Sequence, residues 1–146
     1  VVRVAREKAL AGFEQNLGIL PALGADTIVL LDQTILCKPV SRADAENMLG
    51  RLSGQTHQVY SAVALAVAPE SVLEALSVTS VTFGDMPPDW IREYCRSEEP
   101  MDKAGAYAVQ GGAGQFIRHL DGSYSGVMGL PLFETAQLLR QAGLLA

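Results

Sequence analysis

Apolar residues Val2, Ala5, Ala9 and Phe13 recur at intervals of three and four in the opening VVRVAREKALAGF. This spacing predicts an amphipathic helix already under way at the first residue, with no N-cap ahead of it. After Pro21 the pattern changes. IVLL and TIL are short apolar, partly β-branched runs separated by Asp32-Gln33, which predicts a strand pair with a tight turn and puts Asp26 and Thr27 where the first strand begins. Ser41 followed by Asp44 has the spacing of a helix-opening box. The stripe Ala43, Ala45, Met48, Leu49, Leu52 predicts a helix over 42–52 that stops at Gly54.

Two long β-rich runs, HQVYSAVALAVA and VLEALSVTSVTF, flank Pro69-Glu70-Ser71 and predict an antiparallel hairpin, with Leu73–Leu76 also compatible with a helix. Pro87-Pro88-Asp89 opens a helix through Trp90, Ile91, Tyr94 and Cys95 that Pro100 closes. The Gly- and Ala-rich stretch DKAGAYAVQGGAG reads as a loop flanking a short strand. QFIRHL with Asp121-Gly122 gives a strand and turn, and a last helix, about Pro131 to Gly143, is expected to bury Leu132, Phe133, Ala136, Leu138 and Leu139. The sum is an α/β chain with a mixed, largely antiparallel sheet and flanking helices, without internal repeats or a low-complexity linker.

Composition narrows the function classes. At 146 residues and 49% hydrophobic the chain fits a single domain over 1–146. No apolar run reaches the roughly 20 residues of a membrane-spanning helix, so a cytoplasmic protein without a membrane partner is expected. A net charge of −5 argues against nonspecific binding to a nucleic-acid polymer, which needs a basic face. An acidic chain binds a polyphosphate only through a local cluster of Lys or Arg, backbone N–H groups or a bridging divalent cation. Cys37 and Cys95 lie far apart with no CxxC spacing and read as free thiols. No P-loop and no G-x-S-x-G elbow is present.

Several polar groups stand out. Asp26, between Gly24-Ala25 and an apolar strand, is either a turn cap or a poised carboxylate. Lys38 is either an edge-strand solubiliser or an ammonium that a regular hairpin would bring near Asp26. Lys8 reads first as an exposed helical cation. Asp102, Lys103 and Gln110 offer an acceptor, a cation and a two-way amide among small residues that let a ligand approach the backbone; a flexible glycine-rich turn is the competing reading. His57 reads as a hydrogen-bonded structural group and makes no metal pair with His119.

Taken in order, AREKA at 5–9, GADT at 24–27, KP at 38–39, LSGQTHQV at 52–59, EPMDKAGAYAVQG at 99–111 and GSYSGVMGLPLFET at 122–135 resemble the Maf family of nucleotide pyrophosphatases over essentially the whole chain. The family's apolar first strand and Ser-x-Arg-Arg motif have no counterpart, so the resemblance implies a Maf/ITPase-like fold lacking its N-terminal element. It further implies a nucleoside triphosphate substrate, cut to monophosphate and pyrophosphate as nucleotide-pool house-cleaning. GADT with YAVQG is similar to the branch that takes dTTP and UTP.

The resemblance places the proton acceptor on Asp26 and base selection on Thr27 and Gln110. The chemistry then asks for cations on the phosphates, for which Lys8, Lys38 and Lys103 are the candidates. A bridging Mg²⁺ or Mn²⁺ is expected, with Asp102 on its protein side. A homodimer is the family expectation. The competing functions are a noncatalytic nucleotide- or partner-binding protein in cell division, or septum inhibition, and a purine pyrophosphatase of related fold.

Overall fold

A computed structural model describes residues 1–146. Helix α1 (Val2–Gln15) leads into strands β1 (Ala22–Leu31) and β2 (Thr34–Leu36), then helix α2 (Arg42–Leu52). The long hairpin β3 (Thr56–Ala68) and β4 (Ser71–Phe83) follows, then helix α3 (Pro88–Tyr94) and an irregular stretch of three short 3-10 turns over residues 99–116. Strand β5 (Ile117–Asp121), the short helix α4 (Tyr124–Met128) and helix α5 (Leu132–Gln141) complete the chain. The five strands form one sheet in the order β2-β1-β3-β4-β5, antiparallel at every pairing.

Local signals behave as their chemistry dictates. The Ser41 side chain accepts from the Asp44 N–H at 3.1 Å, closing the first turn of α2. Asp32 adopts φ 54 in the turn between β1 and β2, a left-handed conformation that Asp tolerates. Residues 73–76 are extended in β4, so their apolar spacing serves a strand and not a helix.

Three expectations change. Strand β1 begins at Ala22, and Asp26 therefore stands mid-strand opposite Ala62, not at the strand's start. Ala22, Leu23, Gly24 and Ala25 are weak strand formers, but pairing with Val63–Ala66 overrides propensity. No strand forms within 102–114, where positive φ at Gly105 (74°) and Ala106 (66°) breaks any extended run. In α5, Thr135 and Leu138 face inward while Leu132 and Phe133 are 60% and 70% exposed. That helix packs on the sheet through Leu138, which meets Val63 and Leu65, with Leu139 partly buried beside it.

Strand β3 is buried on both sides. On one face Ala62, Ala64 and Ala66 meet Ala5, Ala9 and Phe13 of α1. On the other, Val59 joins the main core with Val29, Leu49, Leu52, Val81, Phe83 and Tyr107. The all-alanine side has a geometric consequence: a Cβ on Gly24 would lie 2.3 Å from the Ala5 carbonyl oxygen and 2.4 Å from the Ala9 nitrogen. The backbone of α1 rests directly against β1, which only a residue without a side chain permits.

Candidate functional site

The close approach of α1 delivers Lys8 to β1. Its Nζ donates to Asp26 Oδ1 at 3.0 Å and to the Ala25 carbonyl at 3.0 Å. An ammonium has three N–H groups, so one remains for a further acceptor. The Asp26 side chain is only 21% exposed against 53% for Lys8. With its cation half in water the pair adds little to stability, and its effect is to fix where both groups point.

A second junction forms across the cleft. The Gly105 N–H donates to the Cys37 carbonyl at 3.2 Å, fastening the 102–107 loop to the segment that leaves β2. Lys38 and Lys103 are thereby carried on two joined segments. Lys103 Nζ donates to Asp102 Oδ1 at 2.7 Å. That bond, the Lys103 charge and then the charge of Lys38 hold the Asp102 carboxyl below its ordinary range.

The loop is also pinned from beneath. After the left-handed Gly105 and Ala106, Tyr107 turns inward and its hydroxyl meets His57 Nε2 at 2.7 Å. His57 is fully buried, stacked on Phe83 at 5.4 Å between ring centroids, and burial lowers its pKa to about 4. It is neutral at pH 7, and its Nδ1 has no partner. Burial likewise raises the Tyr107 hydroxyl well above its usual range. This is the structural histidine that the sequence predicts. Cys95 is buried and raised to about 11, chiefly by that burial, so it is no thiolate; Cys37 is exposed.

Between these junctions lies a cleft of about 250 Å³. Its charged walls are Lys8, Lys38 and Lys103 with Asp26 and Asp102, three cations against two carboxylates in a protein whose net charge is −5. Thr27, Val29, Val59, Ala104 and Tyr107 line its inner part, and Val127, Met128 and Gly129 close one side. Six of the seven residues singled out from the sequence therefore meet in one place: Asp26, Thr27, Lys8, Lys38, Asp102 and Lys103.

Gln110 does not line this cleft; it is exposed in the turn that follows buried Ala108 and Val109. The sequence pattern assigns no role to Tyr107 or to residues 127–129. Their signal was membership of the AGAY and GSYSGVMG strings, which say that a position matters but not what it faces.

No group of three or more His, Cys, Asp or Glu side chains is arranged to enclose a metal ion. The donor set in the cleft is two carboxylates, Asp26 and Asp102. Each is ion-paired with a lysine, and either is the kind of single ligand that Mg²⁺ or Mn²⁺ takes, since Mg²⁺ typically binds one or two protein carboxylates and fills its remaining positions with water and substrate oxygens. No helix is long and apolar enough to cross a membrane.

Residues 1–142 match the family model described as Maf-like protein. The chain is 54% identical over 148 residues to the dTTP/UTP pyrophosphatase of Bordetella avium strain 197N, an alignment covering 99% of this chain and 73% of that protein. It is 54% identical over 139 residues to the dTTP/UTP pyrophosphatase of Escherichia coli K12, covering 95% of this chain and 70% of the relative. Against the Nitrosomonas europaea protein of the same name it is 52% identical over 148 residues, covering 99% and 71%.

Proposed function

The chain belongs to the Maf-like protein family, and from that premise we propose that it is a nucleoside triphosphate pyrophosphatase that hydrolyses dTTP and UTP to the monophosphate and pyrophosphate. The observation that carries this reading is the meeting of Asp26 with three lysines in one cleft, inside an acidic protein. Relatives above half identity over nearly all of this chain bear the name dTTP/UTP pyrophosphatase.

The geometry supports a division of labour. Lys8 occupies Asp26 Oδ1, which leaves Oδ2 for a water. In this reading Asp26 orients that water toward the α-phosphorus and takes its proton as the new P–O bond forms. The bond from that phosphorus to the α,β-bridging oxygen breaks, and pyrophosphate leaves with the bridging oxygen. The third N–H of Lys8, with Lys38 and Lys103, meets phosphate oxygens whose charge grows toward the leaving group. Asp102 would hold a divalent cation together with substrate oxygens, and the ion's chemistry there is neutralisation of the polyphosphate.

Thr27 lines the cleft, and in this reading the base sits against it. Gln110 would reach that base only if the turn at 109–110 moves, so it is the weakest member of the set. We place the enzyme in the cytoplasm with the nucleotide pool, as one domain. A homodimer rests on the family resemblance alone.

The test is incubation with a panel of nucleoside triphosphates and Mg²⁺ or Mn²⁺, with product identification. UMP plus pyrophosphate from UTP is expected; UDP plus phosphate, or no turnover, overturns the reading. Asp26→Asn is expected to keep the fold and lose at least about a hundredfold in kcat, the size of a general-base contribution. Near-normal turnover would remove Asp26 from that role.

A further inference from the structure

Thr27 and Asp26 are neighbours in β1, so their side chains leave opposite faces of the sheet. Thr27 pairs across the sheet with Ser61, and the two hydroxyl oxygens are 2.9 Å apart. Either could donate when the pair is considered alone. A third group decides: Ser61 Oγ donates to the Gly126 carbonyl of α4. A serine has one hydroxyl proton and a carbonyl has none to give. The Ser61 proton is therefore committed to Gly126, and Thr27 must be the donor to Ser61. Thr27 Oγ1 then has no proton left for the cleft and offers only lone pairs.

The surroundings keep this arrangement in place. Ser61 is 1% exposed, so no bulk water competes for its proton. The α4 turn that carries Gly126 is held by further hydroxyls. The Gly126 N–H donates to Ser123 Oγ at 2.9 Å, and the Ser123 N–H donates to Thr79 Oγ1, also at 2.9 Å. Gly129 lies beside Thr27, where a Cβ would come to 3.9 Å from Thr27 Oγ1, an ordinary contact, and its φ of +123 is a conformation that favours glycine.

We infer that Ser61, through its bond to the Gly126 carbonyl, fixes Thr27 as an acceptor-only hydroxyl, and that the cleft thereby selects a pyrimidine bearing an N–H at ring position 3. Uracil and thymine carry that proton; cytosine has a bare nitrogen lone pair there, which would face a second lone pair. A site built to accept a hydrogen bond rejects an analogue that cannot donate it. Ser61 is a positioning residue, since it acts on substrate only through Thr27. This inference rests on the nucleotide reading of the cleft.

The experiment measures kcat/KM for UTP and CTP on the full chain. The protein as it stands should prefer UTP. Ser61→Ala frees the Thr27 proton to turn toward the cleft, and the UTP:CTP ratio should fall about tenfold or more. Ser61→Thr keeps the hydroxyl and should restore the ratio. If Ser61→Ala fails to fold, Ser61→Cys, close in volume and weak in hydrogen bonding, should move the ratio in the same direction. Equal losses on both nucleotides, or an unchanged ratio, would overturn the relay while leaving the pyrophosphatase reading intact. Absence of UTP turnover in the unsubstituted protein would overturn that reading and this inference with it.

Discussion

The two faces of β1 present adjacent residues to very different supports. Asp26 is served from the α1 side, where Ala5, Ala9, Gly24 and the alanines of β3 shrink the space between helix and sheet until Lys8 reaches across. Thr27 is served from the other side, where Ser61, Thr79 and Ser123 tie α4 to the sheet and His57 ties down the loop. One support works by removing side chains, the other by joining polar ones. Their failures should differ accordingly: the small-residue side fails sterically and at any pH, while the polar side responds to protonation.

The largest expected effect lies on the polar side. His57 is neutral when folded, with a pKa near 4 against 6.5 in the unfolded chain. The unfolded state therefore binds the extra proton first as pH falls. Stability from keeping this histidine neutral is complete above about pH 6.5 and is lost as pH falls toward about 4. The full loss is roughly 3 kcal/mol, at 1.36 kcal/mol per pKa unit. Denaturant unfolding of the protein and His57→Gln between pH 4 and pH 7 measures it. The stability difference between them should shrink as the pH drops, and a pH-independent difference would contradict the buried neutral reading.

Next in size is the steric side. Gly24→Ala puts a Cβ against the α1 backbone and should cost about 2 kcal/mol, within the range for overpacking. At this chain length that lowers Tm by roughly 4–8 °C. Because α1 must move away from β1, turnover should fall with it at every pH. An unchanged Tm would mean that the helix yields freely.

The smallest effect isolates the pair itself. Lys8→Gln retains a hydrogen-bond donor for Asp26 but removes the charge, and kcat/KM is expected to fall about tenfold with Tm nearly unchanged, as befits a half-exposed ion pair. A comparable loss of Tm would place Lys8 in the fold and not in the site.

Most elements were legible because their signals are local. The Ser41 and Asp44 box, the Asp32 turn and the Pro88 helix start need only neighbouring residues. The start of β1 was not legible, since Ala22–Ala25 become a strand only through β3. The exposure of Leu132 and Phe133 was hidden for the same reason: which stripe of α5 faces inward depends on where Leu138 lands. In the site, ordered motifs pointed to residues most of which the fold brings into one cleft. They could not separate Gln110, which faces solvent, from Tyr107 three positions earlier, which faces His57. Left-handed backbone at Gly105 and Ala106 decides that, and a period read from sequence carries no such information.

The cleft's position has a thermodynamic corollary. Its walls come from α1, β1, β3, the β2–α2 connection, the 102–107 loop and the end of α4 with Gly129, segments scattered along the whole chain. A ligand that bridges them binds only when all are assembled, so binding and folding are linked equilibria. At a hundred times its Kd, such a ligand would add about 2.7 kcal/mol to the folded state. A pyrimidine triphosphate bound there would then steady the fold as well as feed the reaction.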